Sequence, residues 1–139
     1  MNVTSDQHQC SLKKALMGNA AFSAISGLTI LFGNHWLVKL LGLQEKVSLS
    51  VLGVSLIVYA ILLVLNARRS EVKISDAWVA VVLDAVWVAG SYILIFVIPF
   101  SVAGKWIVAL VAELVLLFAV LQWLGIRKIR KSEQQPAQV

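Results

Sequence analysis

Two acidic side chains lie deep inside long apolar stretches of this chain. Asp84 and Glu113 are each flanked on both sides by runs of Val, Leu, Ile and Ala. An ionised carboxylate at the centre of a bilayer costs about 2.5 to 3.5 kcal/mol, so each must face protein or water, be paired, or hold its proton. Carboxylates in such positions mark proton paths, ligand sites or polar contacts between helices. They are therefore the first candidates for function.

An amide lies at nearly the same depth on an earlier apolar stretch. At a helical rise of about 1.5 Å per residue, Asp84 lies about 12 Å from the end of its stretch, and Asn19 lies at a similar depth in its own. The Asn19 amide can donate a hydrogen bond to a carboxylate, and Ser23 and Ser26 follow it at helical spacing. The face around Asp84 carries Ala80, Trp87 and Ser91. We therefore expect the two faces to meet, with Asn19 bonded to Asp84.

The predicted site has two interpretations. One is a polar contact that fixes the register of the helices, with each hydrogen bond contributing about 0.6 to 2 kcal/mol. The other is a protonatable site or ligand pocket. Under both interpretations the indole N–H of Trp87 is expected to donate to a carboxylate or carbonyl. Tyr59 and Gln122 are interpreted as hydrogen bonds of helix packing, outside the site. The candidate site residues are Asn19, Ser23, Asp84, Trp87, Ser91 and Glu113.

Glu113 has no basic partner in the middle of any apolar stretch. The nearest cation along its own stretch, Lys105, is two helical turns away. We expect Glu113 to be protonated, hydrated or paired across an oligomer interface, and the sequence leaves these three alternatives open. With Asp84 it would supply the minimum pair of titratable groups for a proton path.

Four apolar stretches must position these residues. Of the 139 residues, 60% are hydrophobic and only 14% charged, whereas an ordinary soluble domain carries about a quarter charged residues. The stretches cover 12–32, 47–65, 77–98 and 102–124, and about 20 helical residues cross a bilayer core of about 30 Å. The sequence predicts an all-α membrane protein, a single domain of four transmembrane helices that bundle together.

The basic residues predict the orientation. Nine of the twelve Lys and Arg side chains lie before the first span, between the second and third, or after the fourth. Only Lys39, Lys46 and Lys105 fall on the other side. The positive-inside rule therefore predicts a multi-pass membrane protein with both termini in the cytoplasm.

The connections and helix faces carry further predictions. The segment 36–43 is expected to form a short amphipathic helix in the membrane interface, with Trp36, Leu37, Leu40 and Leu41 on one face, or else an apolar loop that plugs the bundle. Small residues at 20 and 24, and at 23 and 27, favour close packing of spans one and three. The tail 132–139 is expected to be disordered.

Comparison of the sequence with itself indicates an internal repeat. A shift of 65 residues places span one on span three and aligns Asn19 with Asp84, and a shift of 59 residues places span two on span four. This pattern predicts a tandem two-helix repeat around an axis along the membrane normal.

Several kinds of chemistry are not expected. No span contains histidine and Cys10 is the single cysteine, so we predict no cofactor and no metal site. No nucleophile motif or catalytic constellation is present, which favours a noncatalytic protein. The expected partner is the lipid bilayer, with a second copy or another membrane protein left open. Nucleic acid is not an expected partner, because no soluble fold exists to present a groove.

Three segments together carry a resemblance. They are Asn19 to Leu28, Asp84 to Ser91, and Gln122 to Gly125 before a basic tail. In these segments the chain resembles small four-helix bacterial inner-membrane proteins that carry no assigned activity. The resemblance covers nearly the whole chain and implies nothing about mechanism.

Three functions remain open from the sequence. The first is a noncatalytic accessory or interaction protein of the inner membrane. The second is a small proton-coupled carrier that uses Asp84 and Glu113. The third is a lipid- or quinone-binding protein.

Overall fold

The described secondary structure of this protein is helical. The computed structural model describes residues 3–43 and 47–135. Within these residues the chain forms five helices, α1 (Val3–Phe32), α2 (Asn34–Leu41), α3 (Val47–Ala67), α4 (Ile74–Val97) and α5 (Val102–Gln134). Four of the described helices, all except α2, are long and apolar enough to cross a membrane. The predicted fold class, an all-α membrane protein with four spans, is confirmed.

Helices α1 and α5 extend well past the predicted spans. Helix α1 begins at Val3 and α5 continues to Gln134, so the first three residues of the tail predicted to be disordered are helical. The segment from Arg127 to Gln134 contains no Gly or Pro, and nothing in it opposes helix propagation. Residues 136–139 of the predicted tail lie outside the described residues, as does Lys46 of the charge pattern.

The long helices pack in the cyclic order α1, α3, α4, α5. Helix α1 packs against α3 and α5, and α4 packs against α5, whereas α3 and α4 make only slight contact. Helices α1 and α4, the first and third spans, therefore lie across the diagonal of the bundle. The predicted close packing of spans one and three is wrong, because Gly27 of α1 packs on α3 instead: a Cβ at Gly27 would lie 2.8 Å from the Gly53 carbonyl oxygen.

The two ends of the bundle differ in packing. Lys13 donates to the Ser70 carbonyl, and Leu12 packs on Gly125, which places the start of α1, the α3–α4 loop and the last turns of α5 at one end. We term this the basic end and the opposite end the α2 end. The larger buried cluster, with Leu12, Leu16 and Ile126 fully buried, belongs to the basic half. The cluster near α2 is smaller.

Helix α2 packs against one end of the bundle. Val38 and Leu41 are buried, while Trp36 is 64% exposed. Gly42 ends the helix with a positive φ of 73°, and the Ser101 N–H and hydroxyl donate to the carbonyls of Leu41 and Leu40 at 3.0 and 2.6 Å. The segment is helical as predicted, but its buried face differs from the predicted face, because these bonds fix its rotation on the bundle.

Candidate functional site

Asp84 lies in the interior of the bundle, with 3% of its surface exposed. The Nδ2 of Asn19 donates to its Oδ2 at 2.7 Å, across the diagonal between α1 and α4. Ser23, one turn further along α1, donates to Asn19 Oδ1 at 3.4 Å. The predicted contact between Asn19 and Asp84 is therefore present, made by side chains that reach across the bundle.

Two further helices direct donors at the same carboxylate. The Tyr59 hydroxyl on α3 donates to Oδ1 at 2.8 Å, and Gln122 Nε2 on α5 donates to Oδ2 at 3.2 Å. Each long helix thus contributes one side chain to a polar cluster of Asn19, Tyr59, Asp84 and Gln122. The sequence interpretation left Tyr59 and Gln122 outside the site. The depth of Tyr59 in span two, close to that of Asn19 and Asp84, is the signal that could have placed it. Gln122 lies only two residues from the predicted end of span four, so its depth gave no such signal.

The polar cluster satisfies most of the hydrogen-bonding capacity of the carboxylate. An ionised carboxylate offers about four acceptor positions, and three donors occupy them in this protein. Within the described residues no Lys, Arg or His forms an ion pair with Asp84. The Tyr59 hydroxyl also lies 3.2 Å from the Ala80 carbonyl, and Gln122 Oε1 is buried without a hydrogen-bond partner.

A cavity of about 650 Å³ extends from Asp84 towards α2. Asp84 and Tyr59 are among its lining residues, whereas Asn19 and Gln122 lie behind them and are not. Leucine, valine, isoleucine and phenylalanine side chains form most of the wall, and α2 covers the far end with Leu41. The carboxylate therefore forms the polar floor of an apolar chamber.

The cavity opens towards the membrane between α3 and α4. These two helices make only slight contact, and they line the cavity along most of its length. Leu83, Val86 and Leu94 line it and are also exposed, by 47%, 64% and 44%. Since these exposed side chains belong to a membrane-spanning helix, the opening faces the region of the acyl chains.

Three of the remaining candidate residues also line the cavity. Ser23, Trp87 and Ser91 are part of its wall. The Ser91 hydroxyl donates to the Trp87 carbonyl at 2.8 Å, within its own helix. Among the described residues we find no acceptor for the Trp87 indole N–H, so the predicted bond from this indole to a carboxylate or carbonyl is not formed.

Glu113 lies away from the cavity. Its side chain is exposed on the outer surface of α5 and accepts a hydrogen bond from the Tyr92 hydroxyl of α4. At about 3.6 residues per turn, positions nine residues apart on one helix point in opposite directions. Gln122 faces Asp84, and Glu113 therefore faces outwards. The structure does not bring the two predicted carboxylates together into one site.

Comparison with protein-family models, curated proteins and solved structures finds no match to this chain. The resemblance to small four-helix bacterial inner-membrane proteins stays a prediction.

Proposed function

We propose that this protein is a noncatalytic membrane protein that binds an amphiphilic molecule of the bilayer, of the lipid or quinone kind, in the cavity beside Asp84. The observation that carries the proposal is the cavity itself, an apolar chamber of about 650 Å³ with one carboxylate at its floor. Ligand sites typically have volumes of about 300 to 1,000 Å³, with apolar walls and few polar groups. The opening between α3 and α4 offers such a molecule a path from the acyl chains.

A proton-coupled carrier receives less support. That function would use Asp84 and Glu113 together, and Glu113 does not line the cavity. A role as an accessory protein is compatible with ligand binding, because a bound amphiphile can be presented to a protein partner. A second copy of the chain and another membrane protein both remain candidate partners.

We further propose that the protein lies in the inner membrane with both termini in the cytoplasm. The positively charged residues support this orientation, since Lys13, Arg68 and Arg127 all belong to the basic end. The exposed Trp36 and Trp106 on α2 and the first turns of α5 are suited to the opposite headgroup layer.

The cavity can be filled by a single substitution. A Cβ at Gly90 would meet no atom within 4 Å, and Gly90 lines the cavity. The Gly90→Phe variant should therefore place its ring in the chamber without displacing the backbone. Ala89→Phe, on the neighbouring exposed position, adds the same ring to the outer surface and is the matched control.

Binding can be measured through Trp87 in lipid nanodiscs. The background variant has the other four tryptophans replaced by Phe, and the probe is dodecanol brominated on its fourth carbon, since bromine quenches tryptophan fluorescence. We expect saturable quenching that Gly90→Phe abolishes and Ala89→Phe retains. Quenching that rises without saturation and equally in both variants would overturn the proposal, because it would report only probe dissolved in lipid.

A further inference from the structure

The cavity presents a carboxylate to which the part of the chain that the structure describes supplies no counter-ion. Asn19 and Gln122 both bond Oδ2 from behind, while Tyr59, which lines the cavity, bonds Oδ1. One of the roughly four acceptor positions of the carboxylate remains open, and it belongs to Oδ1, the oxygen shared with the cavity-lining tyrosine. Among the described residues that line this chamber there is no Lys, Arg or His.

Most of the hydroxyl protons of the cavity wall are already donated to the protein. Ser23 donates to Asn19, Ser55 to the Val51 carbonyl, and Ser91 to the Trp87 carbonyl. An anionic or carbonyl-bearing head group would meet few free donors and a carboxylate. A head group that brings its own proton donors and a positive charge matches the floor of the cavity.

Trp87 adds a second feature that favours a cation. It lies three residues after Asp84 on α4, and both line the cavity, so their side chains share one helix face. A cation within about 6 Å of an indole ring is attracted by the ring quadrupole, most strongly where water is excluded. A carboxylate and an indole on one apolar wall are thus suited to one ammonium group.

We infer that the ligand is a lipophilic ammonium ion, a single positively charged amine on an apolar tail, with its head at Asp84 and its tail towards α2. This inference rests on the proposed function and narrows it: it keeps an amphiphile with a cationic head group and sets aside a quinone, whose carbonyl groups would face the carboxylate.

Two probes with the same tail length and different head-group charge measure how much the positive charge contributes to affinity. Dodecylammonium and dodecanol, each brominated on the fourth carbon, are titrated into nanodiscs that contain the full chain with Trp87 as its single tryptophan. We expect the ammonium to bind at least about tenfold more tightly than the alcohol, and Asp84→Asn to remove that advantage, as expected when one member of a buried charge pair is lost. The alcohol can still donate its hydroxyl to the amide oxygen that replaces the carboxylate, so its affinity should fall less than that of the ammonium, and the ratio of the two affinities is the readout.

A second variant separates loss of charge from loss of folding. Exchanging the pair, Asn19→Asp together with Asp84→Asn, keeps one carboxylate and one amide in contact but moves the carboxylate behind the cavity wall. We expect this exchanged protein to fold, to bind the alcohol and to show no preference for the ammonium.

The outcomes distinguish this inference from the proposed function. If both probes bind saturably with equal affinity, or if the exchanged protein keeps the preference for the ammonium, the cationic ligand is overturned and binding of an amphiphile stands. If neither probe quenches Trp87 saturably, binding in the cavity falls and the inference falls with it.

Discussion

Asp84 is accommodated in an apolar bundle because three other helices each direct one donor at it. Buried polar groups are costly when they lack partners, and the effect is asymmetric: removing one member leaves the others unsatisfied. In this cluster Asp84 is the shared acceptor for Asn19, Tyr59 and Gln122. The stability of the cluster should therefore depend more on Asp84 than on any single donor.

Replacing Asp84 tests this dependence directly. Asp84→Leu should lower the free energy of unfolding by about 2 to 4 kcal/mol, because three donors lose their acceptor. Asp84→Asn should lower it by about 1 kcal/mol, because the amide oxygen still accepts from part of the cluster. The measurement is reversible unfolding in mixed micelles. Equal losses in the two variants would show that the hydrogen bonds contribute little.

Glu113 offers the contrasting case of a carboxylate on the outer surface. Its hydrogen-bond partner among the described residues is Tyr92, which is itself 37% exposed. Glu113→Leu should leave the free energy of unfolding unchanged or raise it by up to about 2 kcal/mol, since a polar group leaves the lipid face. The free energy of unfolding is measured in mixed micelles as for Asp84, and cross-linking of the protein in the membrane reports whether it forms a dimer. A loss as large as that of Asp84→Leu, or loss of a cross-linked dimer, would instead place Glu113 in an interface between copies.

The sequence predicts the contact between Asn19 and Asp84 but not the whole polar cluster. A carboxylate in the bilayer requires a partner, and Asn19 lies at the right depth, so cost and depth together identify the pair. The sequence does not predict how each helix is rotated about its own axis. The spans are apolar on nearly all sides, so no amphipathic stripe indicates which side faces inwards. For this reason the sequence could not place Gln122 inside the bundle or Glu113 outside.

Helices α1 and α3 approach each other closely at two glycines. A Cβ at Gly27 would lie 2.8 Å from the Gly53 carbonyl oxygen, and one at Gly53 would lie 3.0 Å from the Gly27 carbonyl oxygen. Small residues that allow such approach are a common basis of helix association in membranes, where packing replaces the hydrophobic driving force. The small-residue spacing in α1 predicted a close approach, but the identity of its partner depends on the cyclic order of the helices, which the spacing does not contain.

A larger side chain at this crossing should separate the two helices. Gly27→Val should lower the free energy of unfolding by about 1 to 3 kcal/mol, because the backbone atoms opposite cannot move aside. Ala21→Val, at an exposed position of the same helix, is the control and should be nearly neutral. Unfolding in mixed micelles compares the two. If the two variants were equally stable, the close approach would not contribute to the fold.

The hairpin of α3 and α4 is fixed at the basic end and separated at the other. Asn66 Oδ1 accepts from the Lys73 N–H at 3.0 Å, and its Nδ2 donates to the Lys73 carbonyl at 3.4 Å. The next hydrogen bonds along the pair are those of Tyr59 with Ala80 and Asp84. Beyond Tyr59 the cavity lies between the helices. The hairpin therefore supplies both the polar floor of the site and its opening.

At the scale of the whole molecule, the cavity lies where the arrangement departs from two-fold symmetry. The predicted repeat would relate α1 to α4 and α3 to α5. The pairs α1–α3 and α4–α5 both pack extensively, as that relation requires, but α1 packs on α5 far more than α4 packs on α3. Asn19 and Asp84, the residues that the repeat aligns, meet across the diagonal. Duplication itself stays a prediction. The opening of the site lies between α3 and α4, the pair that packs less than its counterpart, α1 and α5.

The orientation of the whole molecule can be tested with its own cysteine. Cys10 is free and exposed at the basic end, and Lys39 is exposed on α2 at the other end. If the positive-inside rule holds, a membrane-impermeant maleimide added to intact spheroplasts should not label Cys10, but should label a Lys39→Cys variant made in a Cys10→Ser background. Permeabilisation should expose both thiols, which controls for reactivity. Labelling of Cys10 in intact cells, without labelling of the Lys39→Cys variant, would reverse the orientation and place the lateral opening, which lies in the α2 half, in the cytoplasmic leaflet.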